Sequence, residues 1–227
     1  MIYNVITIYD ELIESYKQTG VIGRGVSSGA ITINAYNTRN YTTNKHGAVD
    51  DYPYGGGAGM VMTPQPIYDA VKSVKGEKEN VPVIYFTPRG KTFNTEVAKH
   101  YAKNYDEVIL LCGHFEGIDE RAISLCVSDE ISMGDYIITG GHIASMCFID
   151  SVSRYITGVL GNEESSSEES FENGLLEYEQ YTRPAEFMGM KVPEILTSGH
   201  HKNIETYKKE RSLELTKEKR ADLLADE

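Results

Sequence analysis

Cysteine is scarce in this 227-residue chain: Cys112, Cys126 and Cys147 are the only three. Their odd number and irregular spacing exclude a disulfide framework and a thiolate metal site. Cys112 and Cys147 lie within apolar runs, VILLC and SMCFI, as reduced thiols of a protein core do. Long hydrophobic stretches are also missing, and none approaches the roughly 20 apolar residues of a membrane-spanning helix. The opening residues, MIYNVITIYDELIESY, have no basic segment leading into an apolar one, so nothing there resembles a secretory signal. A cytoplasmic protein without membrane contact is expected. Positive charge is short as well: 22 Lys and Arg face 34 Asp and Glu, a formal net charge of −12. Binding to phosphate backbones needs cations, so the average argues against nucleic acid. The deficit is local, however. Residues 161–180 hold seven Glu and no Lys or Arg, whereas 181–225 hold nine Lys or Arg against seven Asp or Glu. Familiar catalytic signatures are absent too: there is no H-E-x-x-H, no G-x-S-x-G and no GxxxxGK[ST]. No residue is assigned to a metal.

A hydrophobic fraction of 40% suffices for a buried core in a chain of this length. IYNVITI (2–8), ITINAY (31–36), VPVIYF (81–86), EVILLC (107–112) and DYIIT (135–139) read as strands, because short apolar, β-branched runs suit positions buried in a sheet. Helices are expected at DELIESYKQTG, stopped by Gly20, at PIYDAVKSVKG, FNTEVAKHYAKN and GIDERAISLCV, and around Met146, Ile149, Ser153 and Ile156, which share one helical face. Strands alternating with helices predict an α/β fold with a largely parallel sheet. Residues 174–227 read as a separate helical region, clearest at ETYKKERSLELTKEKRADLL.

Three predicted strands run into glycine-bearing loops: TPRGKTF (87–93), GHFEGIDER (113–121) and SMGDYIITGGH (132–142). Ligands of open α/β sheets bind beyond the carboxyl ends of strands, so three such loops suggest a pocket lined by backbone; the plainer alternative is that the glycines serve tight turns. DDYPYGGGAGM (50–60) is a flexible loop suited to close approach to a ligand or another chain, with Asp50 and Asp51 either capping the turn or meeting substrate. Asp119 and Glu120 fit the first turn of a helix, where its dipole favours carboxylates. The tract GNEESSSEESFENG (161–174) reads as solvated spacer.

DDYPYGGGAGM, VIYFTPRG, LLCGHFEGIDER, SMGDYIITGG, IDSVSRYITGVLG, SFENGLLEYEQYTRP and VPEILTSGHH follow one another in this order. The ordered set, spread over almost the whole chain, resembles the bacterial tRNA (guanine-N1)-methyltransferase family. The resemblance implies a methyltransferase of the SPOUT class that uses S-adenosylmethionine, with Mg²⁺ as an assisting ion, to methylate N1 of guanosine 37 of tRNA, just 3′ of the anticodon. It implies a parallel-sheet domain with a deep trefoil knot (1–160), a flexible linker (161–173) and a small helical tRNA-binding domain (174–227). A homodimer with the active site at the interface is implied as well. By match, the cofactor would lie among Tyr85, Thr87, Pro88, Gly113, Glu116, Gly117, Ser132, Met133, Gly134, Asp135, Tyr136, Ile137, Ile138, Gly140 and Gly141. Substrate would be met by Asp50, Gly55, Gly56, Gly57, Gly59, Arg183 and His201.

The catalytic pair implied by the resemblance is Arg154, in SVSR, and Glu169, in SEESF. Guanine N1 must lose a proton before it can attack, which is work for a carboxylate base, and the charge that spreads to O6 suits a fixed guanidinium. The family usually has Asp where Glu169 stands. Other departures are His142 in GGH where the family has GGE, Gly47 and Tyr52 at positions usually held by Arg, and the Lys219–Arg220–Ala221 sequence in place of paired arginines before the terminal leucines. A catalytically weakened member that binds tRNA or cofactor is the alternative these departures raise.

Overall fold

The structure, a computed structural model, describes residues 1–161 and 169–224. The chain divides into two compact units, Met1–Gly161 and Asn162–Glu227. Of the expected linker, residues 162–168 lie outside the described residues.

The first unit is built on five strands: β1 (Ile2–Thr7), β2 (Thr32–Asn37), β5 (Val83–Thr92), β6 (Glu107–Leu111) and β7 (Asp129–Ser132). They form one sheet in the order β2-β1-β6-β5-β7, with every pairing parallel. Helices α1 (Asp10–Tyr16), α2 (Gly20–Ser27), α3 (Pro64–Lys75), α4 (Thr95–Asn104) and α5 (Glu120–Cys126) lie in the crossovers between these strands, and α6 (Gly141–Ser153) follows the last of them. β3 (Asp50–Asp51) and β4 (Val61–Met62) make a small antiparallel pair outside the sheet. Strand alternation explains the two cores. Val108 and Leu110 of β6 pack with Ile84, Phe86, Phe148 and Val152 on one face. Ile109 and Leu111 pack with Val83, Tyr85, Ile67 and Ile123 on the other. A sheet covered on both faces uses continuous apolar strands, so VIYF and EVILL are readable directly.

The structure departs from the sequence-based expectation in three places. Residues 135–139 are not a strand. The last strand is β7, whose Ile131 and Ser132 are buried, and the chain then turns, with Gly134 at φ +133° and the Tyr136 N–H bonded to the Gly134 carbonyl at 2.9 Å. The apolar Tyr136 and Ile137 that suggested a strand are exposed, Ile137 at 82%. Gly20 does not simply end a helix: at φ +60° it turns the chain out of α1 and opens α2. The region 174–227 is helical only in part. After an irregular stretch comes a hairpin of β8 (Glu186–Phe187) and β9 (Met190–Lys191), then α7 (Glu194–Thr197) and α8 (His201–Lys219). Its Pro and Gly residues suit turns rather than helix. Within this second unit, Thr216 of α8 is fully buried and its Oγ1 accepts the Leu176 N–H at 2.8 Å. Arg211 clasps Glu179 with Nε at 3.0 and 2.9 Å from its two oxygens, which fastens the irregular stretch to α8.

Candidate active site

At the carboxyl end of the parallel sheet lies a cavity of about 270 Å³. Its walls come from the segment after Tyr85 and Phe86 of β5, from the 113–117 loop after β6, and from residues 131–141 between β7 and α6. Fourteen of the fifteen residues expected around a cofactor line it; Asp135 does not. His114, Phe115 and Thr139, which lie in the expected glycine loops, also line it, and Phe86, Ile131 and Ala144, which were not anticipated, complete the wall.

Sequence chemistry accounts for this convergence. β5 bulges between Phe86 and Lys91, where its pairing with β7 shifts register, and Thr87 and Pro88 leave the ladder at that bulge. Pro has no N–H to donate and is tolerated at such a break. Glycine is required where two loops meet. The Gly141 N–H donates to the Gly113 carbonyl at 2.8 Å, and a Cβ on Gly141 would lie 2.8 Å from the Cα of Cys112. The loops can join this closely only because residue 141 lacks a side chain. His114 and Gly140 pair as an isolated antiparallel bridge beside that contact.

The cavity mixes backbone polar groups with aromatic surface. Tyr85 is buried at 6% exposure; burial raises its phenol above the usual range, offset in part by a hydrogen bond from the Ile118 backbone. It is therefore a neutral wall at physiological pH. Ser132 Oγ receives the Gly134 N–H at 3.2 Å and fixes the turn after β7. Tyr9 Oη lies 3.3 Å from His114 Nε2, and the Tyr9 ring makes T-shaped contacts with both His114 and His142. His142 is 8% exposed, and its pKa is lowered by burial and then by neighbouring His114, against a weaker opposing pull from Glu11.

The 50–62 segment is tied to the same wall. The Glu116 N–H donates to Met60 O and the Met62 N–H to Gly117 O, each at 2.9 Å. Gly59 passes so near Glu116 that a Cβ there would lie 2.5 Å from the carboxylate's Oε1. Asp50 pairs with Met62 in the β3–β4 ladder, while Gly55, Gly56, Gly57 and Gly59 are exposed. Asp51 accepts the Tyr52 N–H at 2.8 Å, the capping alternative. Asp119 caps α5 by accepting the Arg121 N–H at 2.9 Å, and Glu120 pairs with Arg89 at 3.0 Å. Both GIDER carboxylates thus have structural partners.

Arg154 is half-buried and is the C-cap of α6 in the first unit. Glu169 belongs to the second unit, where it lines a separate cavity of about 340 Å³ with Asn173, Tyr178, Lys208 and Lys209. Arg183 and His201 are both exposed in that unit, Arg183 beside Pro184 and His201 as the first residue of α8. Among the described residues, no group of three or more His, Cys, Asp or Glu side chains could hold a metal ion. No described helix is long and apolar enough to cross a membrane.

A family model described as tRNA (Guanine-1)-methyltransferase TrmD matches residues 1–226. The chain is 52% identical over 225 residues to a tRNA (guanine-N(1)-)-methyltransferase of Clostridioides difficile (strain 630), covering 98% of this chain and 97% of that protein. Relatives with the same name from Lachnospira eligens and Halalkalibacterium halodurans are each 49% identical. They cover 98% and 96% of this chain, and the matches span 94% and 89% of the relatives' own lengths.

Proposed function

The chain belongs to the tRNA (guanine-1)-methyltransferase family and methylates N1 of guanine in tRNA, and we propose that it does so at position 37 with S-adenosylmethionine as donor. The observation that carries the donor assignment is the cavity at the carboxyl ends of β5, β6 and β7. Five glycines line it, so main-chain amides and carbonyls can approach a nucleoside closely. Neutral Tyr85 and the half-exposed Phe115 offer aromatic surface, and Tyr85, Thr87, Pro88, Glu116, Ser132 and the 133–141 turn would hold the donor. When bound, S-adenosylmethionine supplies an electrophilic methyl group on a sulfonium.

The protein's work is to make guanine N1 a nucleophile and hold it in line. We assign proton removal at N1 to the Glu169 carboxylate, a general-base role worth about 10²- to 10⁴-fold. Arg154 would stabilise the negative charge that spreads onto O6. Asp50 and the 55–59 glycine loop, fastened to the cavity wall through Met60 and Met62, would position the base, with Arg183 and His201 contacting the tRNA. The functional division we propose is a methyltransferase domain at 1–160, a linker at 161–173 and a tRNA-binding domain at 174–227. The SPOUT class with its knot is supported by the all-parallel order β2-β1-β6-β5-β7 and by the family match. Exposed Tyr52, Tyr54, Tyr136 and Ile137 support a homodimer in which a second copy covers the first unit's apolar rim. Three free cysteines suit the reducing cytoplasm. The Mg²⁺ implied by the resemblance finds no protein-built cluster among the described residues, and no step is assigned to it.

The test is single-turnover methyl transfer with Glu169 variants. Glu169→Gln should lose about 10²-fold or more while still binding S-adenosylmethionine, and Glu169→Asp should retain or raise the rate. Undiminished transfer by the Gln variant would remove Glu169 from the role of base.

A further inference from the structure

His114 and His142 are 28 positions apart in sequence, yet their rings lie side by side, 6.4 Å between centroids. A Cβ built on Gly140 would be 2.7 Å from His114 Nδ1 and 2.8 Å from His142 Nδ1. Both nitrogens therefore lie close to one point beside the Gly140 backbone. That point is the seam of the cavity, where the His114–Gly140 bridge and the Gly141–Gly113 hydrogen bond join two of its walls. His114 Nδ1 is buried and has no hydrogen-bond partner among the described residues. Its other nitrogen meets Tyr9 Oη at 3.3 Å.

His142 so placed tolerates charge poorly, its pKa lowered first by burial and then by His114. A neutral ring offers one donor and one acceptor, whereas a protonated ring is a donor at both nitrogens. Protonation of His142 would place an N–H on a nitrogen crowded beside Gly140 and set a positive charge next to the neighbouring imidazole. His142 also sits in the first turn of the 13-residue helix α6, where the helix dipole disfavours a cation. Among the described residues, Tyr9 from the β1–α1 connection packs against both rings, Glu11 of α1 acts on His142, and Cys112 and Glu116 stand two residues to either side of His114. Glu11 is the group that opposes the trend, and its pull on His142 ranks below both burial and His114. Cys112 is held as a neutral thiol, its pKa pushed up to about 12 by burial.

We propose that His114 and His142 are positioning residues of the methyl-donor pocket: clasping Gly140, they hold the 113–117 loop against the turn before α6, and uptake of a proton by His142 opens the seam and weakens donor binding. The proposal rests on the reading of this cavity as the donor site. It makes donor affinity depend on pH through the protein, although neither histidine is asked to touch the reacting atoms.

The test is calorimetry of S-adenosylmethionine binding to the full chain from about pH 5.5 to about pH 8, the range in which imidazoles titrate. Each pH is measured in two buffers of different ionisation enthalpy. The wild type should bind best at the alkaline end, with Kd rising by up to about tenfold per pH unit on acidification. Near pH 6 the binding heat should differ between buffers in the sense of proton release. His142→Gln should bind a few-fold more weakly at the alkaline end and lose most of the slope. A flat pH profile with buffer-independent heat in the wild type would overturn the proposal while leaving the donor site intact, as would a wild-type slope in the Gln variant. No binding by the wild type at any pH would overturn the donor-site reading and this proposal together. The buffer comparison needs only the wild type, so it stands if the variant does not fold.

Discussion

Gly141→Ala places one methyl group where two walls of the cavity meet, and its consequences can be worked from the contacts. The new Cβ would lie 2.8 Å from Cys112 Cα, 3.0 Å from Gly113 N and 3.3 Å from Cys112 C. All three are main-chain atoms, so no side-chain rotation relieves the contact. Carbon–carbon contacts are comfortable at about 3.5–4.0 Å, so the 113 loop must retreat by roughly 0.7 Å. Overpacking of this kind costs about 1–3 kcal/mol. Stretching the 2.8 Å bond from Gly141 N to Gly113 O adds up to about 1 kcal/mol. Alanine's better helix propensity works in the opposite sense by at most about 1 kcal/mol. The net loss is then about 1–3 kcal/mol, a Tm lowered by about 2–12 °C for a domain of this size. Gly161→Ala is the control, because a Cβ there meets nothing within 4 Å among the described residues. It should fall within about 0.5 kcal/mol of the wild type. The assay is thermal melting paired with methyl transfer, which the displaced wall should slow by about tenfold or more, since misplacement of about 1 Å can cost about 10²-fold. Wild-type melting and wild-type rate in the Gly141 variant would refute the reasoning.

Three further outcomes are expected. Cys147 is exposed, whereas Cys112 is buried with its pKa pushed up to about 12; a thiol-specific reagent at neutral pH should label Cys147 quickly and Cys112 only on unfolding. Tyr3→Phe removes the buried 2.9 Å bond between Tyr3 Oη and Ser153 Oγ and strands the serine hydroxyl. Denaturant titration should show a loss of about 1–3 kcal/mol, most of it recovered by adding Ser153→Ala. Because burial lowers the His142 pKa in the folded state, the unfolded chain binds more protons below about pH 6.5. Thermal stability should therefore fall as pH drops from about 7 towards the folded-state pKa, and His142→Gln should blunt that fall.

The strands buried on both faces were legible because burial leaves apolar runs, as in VIYF and EVILL. β7 was not. Its four residues, DEIS, carry two carboxylates, and the adjacent YII drew the assignment although Tyr136 and Ile137 face outward. Nor was α2 visible, since GVIGRGVS contains three glycines. Packing explains two of them: a Cβ on Gly23 would meet the Gln18 backbone at 2.5 Å, and one on Gly25 would touch Ile31 and Val159 at 3.3 Å. Two of the glycine loops were legible as a pocket because each follows a strand readable in the sequence; the third, 132–142, showed its glycines, while the strand before it did not show. The contacts of His114 with His142 and Tyr9 were not, because they arise from tertiary packing between segments with no common pattern. Among the candidate residues, the sequence singled out Glu169 from its neighbours by position alone. Its half-buried place beside Lys208, Lys209 and Tyr178 required the structure.

The most direct measurement of the account is methyl transfer from labelled S-adenosylmethionine to two tRNA transcripts that differ only at position 37, one with G and one with A, followed by nucleoside analysis. The account predicts N1-methylguanosine from the G transcript, a loss of about 10²-fold or more in Glu169→Gln, and no methylated product from the A transcript. Equal methylation of both transcripts, or product mapped to a guanosine other than 37, would contradict it.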